Sequence, residues 1–275
     1  MKKSTRMSVC QYIKSYIAGL LLATLLPAAA FAIDIDISDA TTPDEAAVNQ
    51  TIAVFISSDA TVSVDYTIID GTATNGDDYT ASSGTLNFSP GNTVQSINIP
   101  ILSDDIDEDI ETIIINLSNP TGGAVIVDNQ ATLYIVDDDP EPQISINDDN
   151  TTETNGTYSL AATLNNPSSK DVSVGWRAIA GTASDGSDFN SSQGTLNFPA
   201  GNTSQNISIS LLDDSMDEDN ETVIVTLYDP VFATLDNSTA VITLQDDDAE
   251  PSISAADITT TDESVANITI SLSAP

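Results

Sequence analysis

"DGTATNGDDYTASSGTLNF" occupies residues 70–88, and "AGTASDGSDFNSSQGTLNF" occupies residues 180–198, an offset of 110. The repetition runs outward in register from both stretches. "PGNTVQSINIPILSDDIDEDIET" (90–112) matches "AGNTSQNISISLLDDSMDEDNET" (200–222) at the same offset, and "LYIVDDDPEPQISI" (133–146) matches "ITLQDDDAEPSISA" (242–255) at 109. The slip of one residue falls between Pro120 and Ala131, in a loop, where chain length changes at little cost. A third copy opens with "EPSISAADITTTDESVANITISLSAP" (250–275). Length and self-similarity together set the domain count at two, with the start of a third.

Within each copy the apolar residues recur every second position, the period of a half-buried strand. Val62, Val64, Tyr66 and Ile68 alternate with polar residues, and Val172, Val174, Trp176 and Ala178 repeat the pattern. Ile97, Ile99 and Ile101 answer Ile207, Ile209 and Leu211; Ile113, Ile115 and Leu117 answer Val223, Val225 and Leu227. Clusters of Gly, Asn, Asp, Ser and Pro separate these runs, as turns require. About seven short strands per copy predict an all-β protein of tandem two-sheet β-sandwiches. The alternating aliphatic and aromatic side chains, Leu86/Phe88 and Leu196/Phe198 included, are read as core.

Residues 1–32 form a separate segment. Lys2, Lys3, Arg6 and Lys14 precede the apolar run "IAGLLLATLLPAAAFA", which closes on Ala30-Phe31-Ala32. A basic start, a short apolar middle and an A-x-A end predict a secretory signal peptide, with an uncleaved anchor as the alternative. The expected location is secreted or at the cell surface. Cys10, the single cysteine, lies inside this segment and away from the cleavage site, so no lipid-modified cysteine is expected.

Without that segment two basic residues, Lys170 and Arg177, face 42 acidic ones, a net charge of −40. Such a surface excludes nucleic acid, whose phosphates need clustered Lys and Arg. The exported part has no cysteine and the chain no histidine, so disulfides, thiolate or His-based zinc sites and Ser-His-Asp catalysis are excluded. Oxygen ligands alone remain in quantity.

The carboxylates avoid the strands and pool at four places per copy. The first is a lone Glu after the opening strand: Glu45, Glu153 and, in the third copy, Glu263. The second is the loop carrying Asp78 or Asp188, with Asp77 in the first copy alone. The third is "SDDIDEDIE" (103–111), answered by "DDSMDEDNE" (213–221), and the fourth is Asp137-Asp138-Asp139, answered by Asp246-Asp247-Asp248. If the groups meet at one pole of the sandwich, each like-charge pair at about 4 Å costs on the order of 4 kcal/mol at an effective dielectric near 20. A few such pairs rival the roughly 5–15 kcal/mol stability of a domain. The acids are then either spread over a solvated surface or filled by metal. Their focus, recurring in register, favours metal. Ca²⁺ suits the set, because it takes six to eight oxygens in flexible geometry, whereas Mg²⁺ keeps its water.

The loop G-T-A-x-x-G-x-D-[YF], the strand G-T-L-x-F, the acidic D-x-x-x-E-x-x-E loop and the terminal D-D-D occur together and in order. In these elements the chain resembles the Calx-beta repeat of sodium/calcium exchangers, an integrin β subunit and bacterial surface proteins. The resemblance covers 33–139 and 140–248 and the beginning of a third repeat at 249–275, and it implies that each repeat is an immunoglobulin-like seven-stranded β-sandwich. It implies metal ligands at Glu45, Asp78, Asp104, Glu108, Glu111, Asp137, Asp138 and Asp139 in the first domain. In the second it implies Glu153, Asp188, Asp213, Asp214, Glu218, Glu221, Asp246, Asp247 and Asp248. Asp105, Asp107 and Asp109 fall between ligand positions and are expected only to add field. Ser103 stands where the second copy has Asp213, so the first domain is expected to hold one ion fewer or to hold it more weakly.

Gly71 and Gly76, or Gly181 and Gly186, are expected to aim one Asp at the ions, with Tyr79 or Phe189 anchoring the loop by packing. The short joint "DDDPEP" (137–142) leads straight from the last acids into the next strand, and its prolines favour extended backbone. The function expected is a calcium-stiffened structural or adhesive module, not an enzyme, with calcium ions as partners and cell-surface or matrix components as further ones. A glycosidase-like use of paired carboxylates and a soluble calcium sink are the alternatives. The third copy leaves Ile268, Ile270 and Leu272 without an opposite sheet, so either the piece pairs with a neighbour or, as favoured, the chain is a fragment of a longer array, one form of which is a larger secreted enzyme with these repeats as spacers.

Overall fold

The protein is described by a computed structural model covering residues 32–42, 44–257 and 267–273. Among these residues every regular element is a β-strand. The expected signal peptide (but for Ala32) and Glu263 lie outside the described residues.

The first sandwich contains β1 (Ile33–Ile37), β2 (Ala40–Thr41), β3 (Asn49–Ile56), β4 (Val62–Asp70), β5 (Ser83–Phe88), β6 (Val94–Pro100), β7 (Glu111–Ser118), β8 (Ala124–Ile126) and β9 (Gln130–Ile135). They form a four-stranded sheet, β6-β3-β1-β8, and a five-stranded sheet, β2-β9-β7-β4-β5. The opening strand is thus split. Its first half pairs antiparallel with β3, and its second half crosses over to run parallel to β9. This split and the short β8 account for nine strands where the alternation predicts about seven.

The second sandwich repeats the plan. Its strands are β10 (Gln143–Ile146), β11 (Asp149–Thr152), β12 (Gly156–Leu164), β13 (Val172–Ala180), β14 (Phe189–Asn190), β15 (Ser192–Phe198), β16 (Ser204–Leu211), β17 (Glu221–Val231), β18 (Thr234–Asn237) and β19 (Thr239–Gln245). The sheet orders are β14-β16-β12-β10-β18 and β11-β19-β17-β13-β15.

Alternation places one side of every long strand in the core. In β7, Ile113, Ile115 and Leu117 point inward, opposite Ile97 and Ile99 of β6; Val223, Val225 and Leu227 do the same in the second sandwich. The two cores are separate clusters. Tyr66 and Trp176 are partly buried at the margin of these cores, each lying over the glycine opposite it, Gly84 or Gly194. A Cβ on Gly84 would lie 3.0 Å from the Tyr66 ring, so the glycine in "GTLNF" is fixed by its cross-strand neighbour.

After the second sandwich, β20 (Ile253–Ala255) pairs antiparallel with β21 (Ile270–Leu272). The register sets Ile253 against Leu272, the counterpart of Ile144 against Leu164 in the second sandwich. Ile253, Ile270 and Leu272 are exposed, as expected of a hairpin whose facing sheet is absent from the described residues.

Candidate metal centre

Strand direction brings the four acidic groups of each copy together. Asn49 at the start of β3 pairs with Pro100 at the end of β6, Asp70 at the end of β4 with Ile113, and Glu111 at the start of β7 with Ile135 at the end of β9. The segments holding Glu45, Asp78, Asp104 to Glu108 and Asp137 to Asp139 therefore all emerge at one end of the sandwich.

The repeated loop is built by close backbone approach. Gly71 donates its N–H to the Thr112 carbonyl at 3.1 Å, and a Cβ there would sit 2.4 Å from that oxygen. Thr72 and Thr112 exchange backbone-to-hydroxyl bonds of 3.0 and 2.9 Å, and Thr182 and Thr222 do the same. Gly76 turns the chain at φ +103° and donates to the Tyr79 carbonyl at 2.8 Å. Asp78 then accepts from the Thr74 N–H, while its own carbonyl accepts from Leu102 at 2.9 Å. Tyr79 and Phe189 are wholly buried, which makes them packing anchors. The Tyr79 hydroxyl also donates to Asp70 at 2.7 Å, a bond replaced in the second copy by Phe189 and Ala180.

In the first domain, carboxylate oxygens of Glu45, Asp138 and Asp139 lie within 4.8 Å of one another, as do those of Asp78, Glu108 and Glu111. In the second domain Glu153, Glu218 and Glu221 form the matching group. The remaining expected ligands surround these triads. Burial, opposed in part by the Asp104 N–H, and the negative field of Asp104, Asp137 and Asp139 push Glu45 up to about 7. Glu108 is pushed to about 7 by burial and by Asp78, Asp104, Glu45 and Asp137. Burial and the neighbouring carboxylates, Asp78 first, push Glu111 to about 8.

In the second domain, burial and the field of Glu218, Asp188, Asp246 and Asp214 push Glu153 to about 7, and burial and Asp188 do the same to Glu221. Asp248 is raised by burial and by Asp246, Asp247, Asp213 and Asp214. The carboxylates expected as ligands thus gather at one pole or the other, nine of them in the three close triads.

The donor set fits a hard divalent cation. Oxygens of Glu111, Asp139, Glu153 and Glu221 are buried and accept no hydrogen bond. A carboxylate buried without a donor is costly unless it is protonated or ligates a cation. Among the described residues the first pole is approached by one basic side chain, Lys170, which pairs with the carboxylates of Asp107 and Asp109 and with no carboxylate of the expected ligands. Many carboxylate oxygens at one site, without nitrogen or sulfur donors, match Ca²⁺ better than Mg²⁺ or zinc.

Of the three acids expected only to add field, Asp105 does so and the other two need correction. Asp105 lies close enough to Asp139 to raise its carboxyl, after burial, Asp137 and Asp138. Asp107 is buried and belongs to the joint between domains. Its Oδ2 accepts from the Ser168 hydroxyl at 2.6 Å, its Oδ1 pairs with Lys170 Nζ at 3.0 Å, and its carbonyl accepts from the Ser169 N–H at 2.9 Å. Lys170 Nζ also donates to the Glu108 carbonyl at 3.0 Å and lies 3.6 Å from Asp109. Two sequence signals mark this contact. Lys170 is one of two basic residues beyond position 32, and seven residues join β12 to β13 where five join β3 to β4. Asp217, the counterpart of Asp107, is exposed.

Fold and site together define a tandem β-sandwich protein with a carboxylate-lined pole on each domain. The chain belongs to the Calx-beta domain family, whose model matches residues 38–139 and 137–248. Relatives include sodium/calcium exchanger 1 of Rattus norvegicus, 28% identical over 203 residues (66% of this chain and 21% of the relative). Sodium/calcium exchanger 2 of Homo sapiens is 30% identical over 190 residues, 62% of this chain and 21% of the relative. The chain thus spans about a fifth of the length of the curated relatives it matches. A crystal structure of CBD12 from CALX1.2 is 22% identical and covers 78% of this chain and 100% of its own, with a TM-score of 0.39. A score that low adds nothing to the topology, which stands on the strand pairings.

Proposed function

We propose that the protein is an exported calcium-binding module, structural or adhesive in role, whose two poles each take up Ca²⁺ and stiffen when they do. The observation that carries this reading is the set of buried carboxylate oxygens without donors at both poles. Cations occupying them relieve the repulsion within each pole and tie together loops from both sheets. Support for a mechanical role comes from the joint. The first pole lies against the second domain through Asp107, Ser168 and Lys170, so loops that order around Ca²⁺ also order the contact between domains. Support for export comes from the basic-apolar segment at residues 1–32, and the relatives' printed names concern sodium/calcium exchange.

Calorimetric titration of the chain with Ca²⁺, paired with thermal melts, tests the binding. Heat of binding and a rise in melting temperature are expected, since a ligand that binds only the folded state stabilises it. Small-angle scattering with Ca²⁺ and with chelator tests the stiffening, and superimposable profiles would remove the mechanical role.

A further inference from the structure

We propose that Asn166 of the second domain supplies an oxygen ligand to the outermost cation of the first domain's pole, so that this site is complete only when the two domains are docked. This rests on the calcium-binding reading above.

Four of the six buried side-chain oxygens without a hydrogen-bond partner among the described residues belong to pole carboxylates. A fifth is Asn166 Oδ1, an amide oxygen from the other domain. Asn166 and Asp139, whose Oδ2 is also without a donor, line the same cleft of about 370 Å³ at the joint, with Asp105, Pro140, Asn165 and Pro167. A buried acceptor without a donor loses its hydration for no return unless a cation or water meets it.

The amide cannot simply turn over. Its Nδ2 donates to the carbonyl of Pro140 at 2.9 Å and reaches that of Pro167 at 3.4 Å, two acceptors the oxygen could not replace. Since Pro140 directly follows Asp139, the bond that orients the amide also holds it beside the acid triplet. The turn carrying Asn166 is fixed on either side. Asn165 Oδ1 accepts from the Gln143 N–H at 2.6 Å, and Ser168 and Lys170 are held on Asp107. An amide oxygen held in this way, on a side chain that lines one cleft with Asp105 and Asp139, has the chemistry of the neutral carbonyl ligands that Ca²⁺ accepts among carboxylates.

The test uses the whole chain and Ca²⁺ as the probe. The side-chain ¹³Cγ resonance of Asn166 is followed through a Ca²⁺ titration, and calorimetry compares wild type with Asn166→Ala and Asn166→Asp. A ¹³Cγ shift that tracks one binding step is expected. Loss of one ligand in Asn166→Ala should weaken that step about tenfold. Asn166→Asp, which keeps an oxygen but loses the Nδ2 bonds, should bind at least as tightly as wild type. A purely architectural Asn166 predicts the reverse, with both variants impaired alike. If Ca²⁺ binds while the ¹³Cγ resonance stays fixed and Asn166→Ala matches wild type, the inference is overturned and the function stands. If wild type gives no heat with Ca²⁺, the calcium reading itself falls.

Discussion

Loading the poles with Ca²⁺ should expel protons, in a number set by the structure. In the metal-free protein Glu45, Glu108, Glu153 and Glu221 are pushed up to about 7 and Glu111 to about 8, burial being the first cause at each. At pH 7 the first four are each about half protonated and Glu111 about nine-tenths, so the chain carries about three protons that a cation must displace. At pH 8.5 the same groups hold less than about one. Calcium affinity should therefore climb steeply between pH 6 and pH 8 and level off above. The assay is calorimetry at pH 7 in buffers of different ionisation enthalpy, where the slope of apparent heat against that enthalpy counts the protons. A slope near zero with clear binding would show that the carboxylates were already ionised and refute the reasoning. The same groups set the metal-free stability. Their folded-state affinity for protons exceeds that of the unfolded chain, so their contribution is full below the ordinary carboxylate range and is lost as pH rises through about 7 to 8. Metal-free protein should melt lower at pH 8 than at pH 5.5, and saturating Ca²⁺ should abolish that trend.

Lys170→Met leaves Asp107 without its counter-ion, at a cost of about 3–5 kcal/mol if the acid stayed buried. The few neutral hydrogen bonds of the joint are worth about 1 kcal/mol each, so the loop should undock and ¹⁵N relaxation should show two domains tumbling independently. Unchanged relaxation would contradict the role given to this pair. Gly71→Ala drives a Cβ to 2.4 Å from the Thr112 carbonyl and should cost about 1–3 kcal/mol in chemical denaturation of the first domain, with calcium affinity falling as Asp78 is displaced. Tyr79→Phe should cost about 1 kcal/mol by removing its hydroxyl's bond to Asp70 Oδ1, which still accepts from the Asn75 N–H, while Asp70→Ala combined with Tyr79→Phe should cost less than the two singly. The second domain already folds with Ala180 and Phe189 at these positions, and full additivity would show that the pairing is incidental.

Much of the fold was legible because a sandwich writes its core as a two-residue alternation and its turns as Gly, Asn and Asp. Ile113, Ile115 and Leu117 needed no partner to be recognised as inward-facing. The poles were legible for a second reason: repetition in register singled out carboxylates such as Glu45 and Glu153, which lie outside the long acidic runs. Other features hold no local signature. Thr72 and Thr112 stand 40 residues apart, and their exchanged bonds look in sequence like ordinary strand-end threonines.

The sequence by itself determined which residues face inward, that the chain is a tandem of like domains, and that the part beyond residue 32 is acidic beyond what Lys170 and Arg177 can balance. The tertiary structure decided which carboxylates actually meet, because proximity at a pole depends on how strands from two sheets end together in space. It also turned Asp107 from one more acid in a charged loop into a buried contact with the next domain. That change could not be read locally, since the groups that satisfy Asp107 lie more than 60 residues further along the chain.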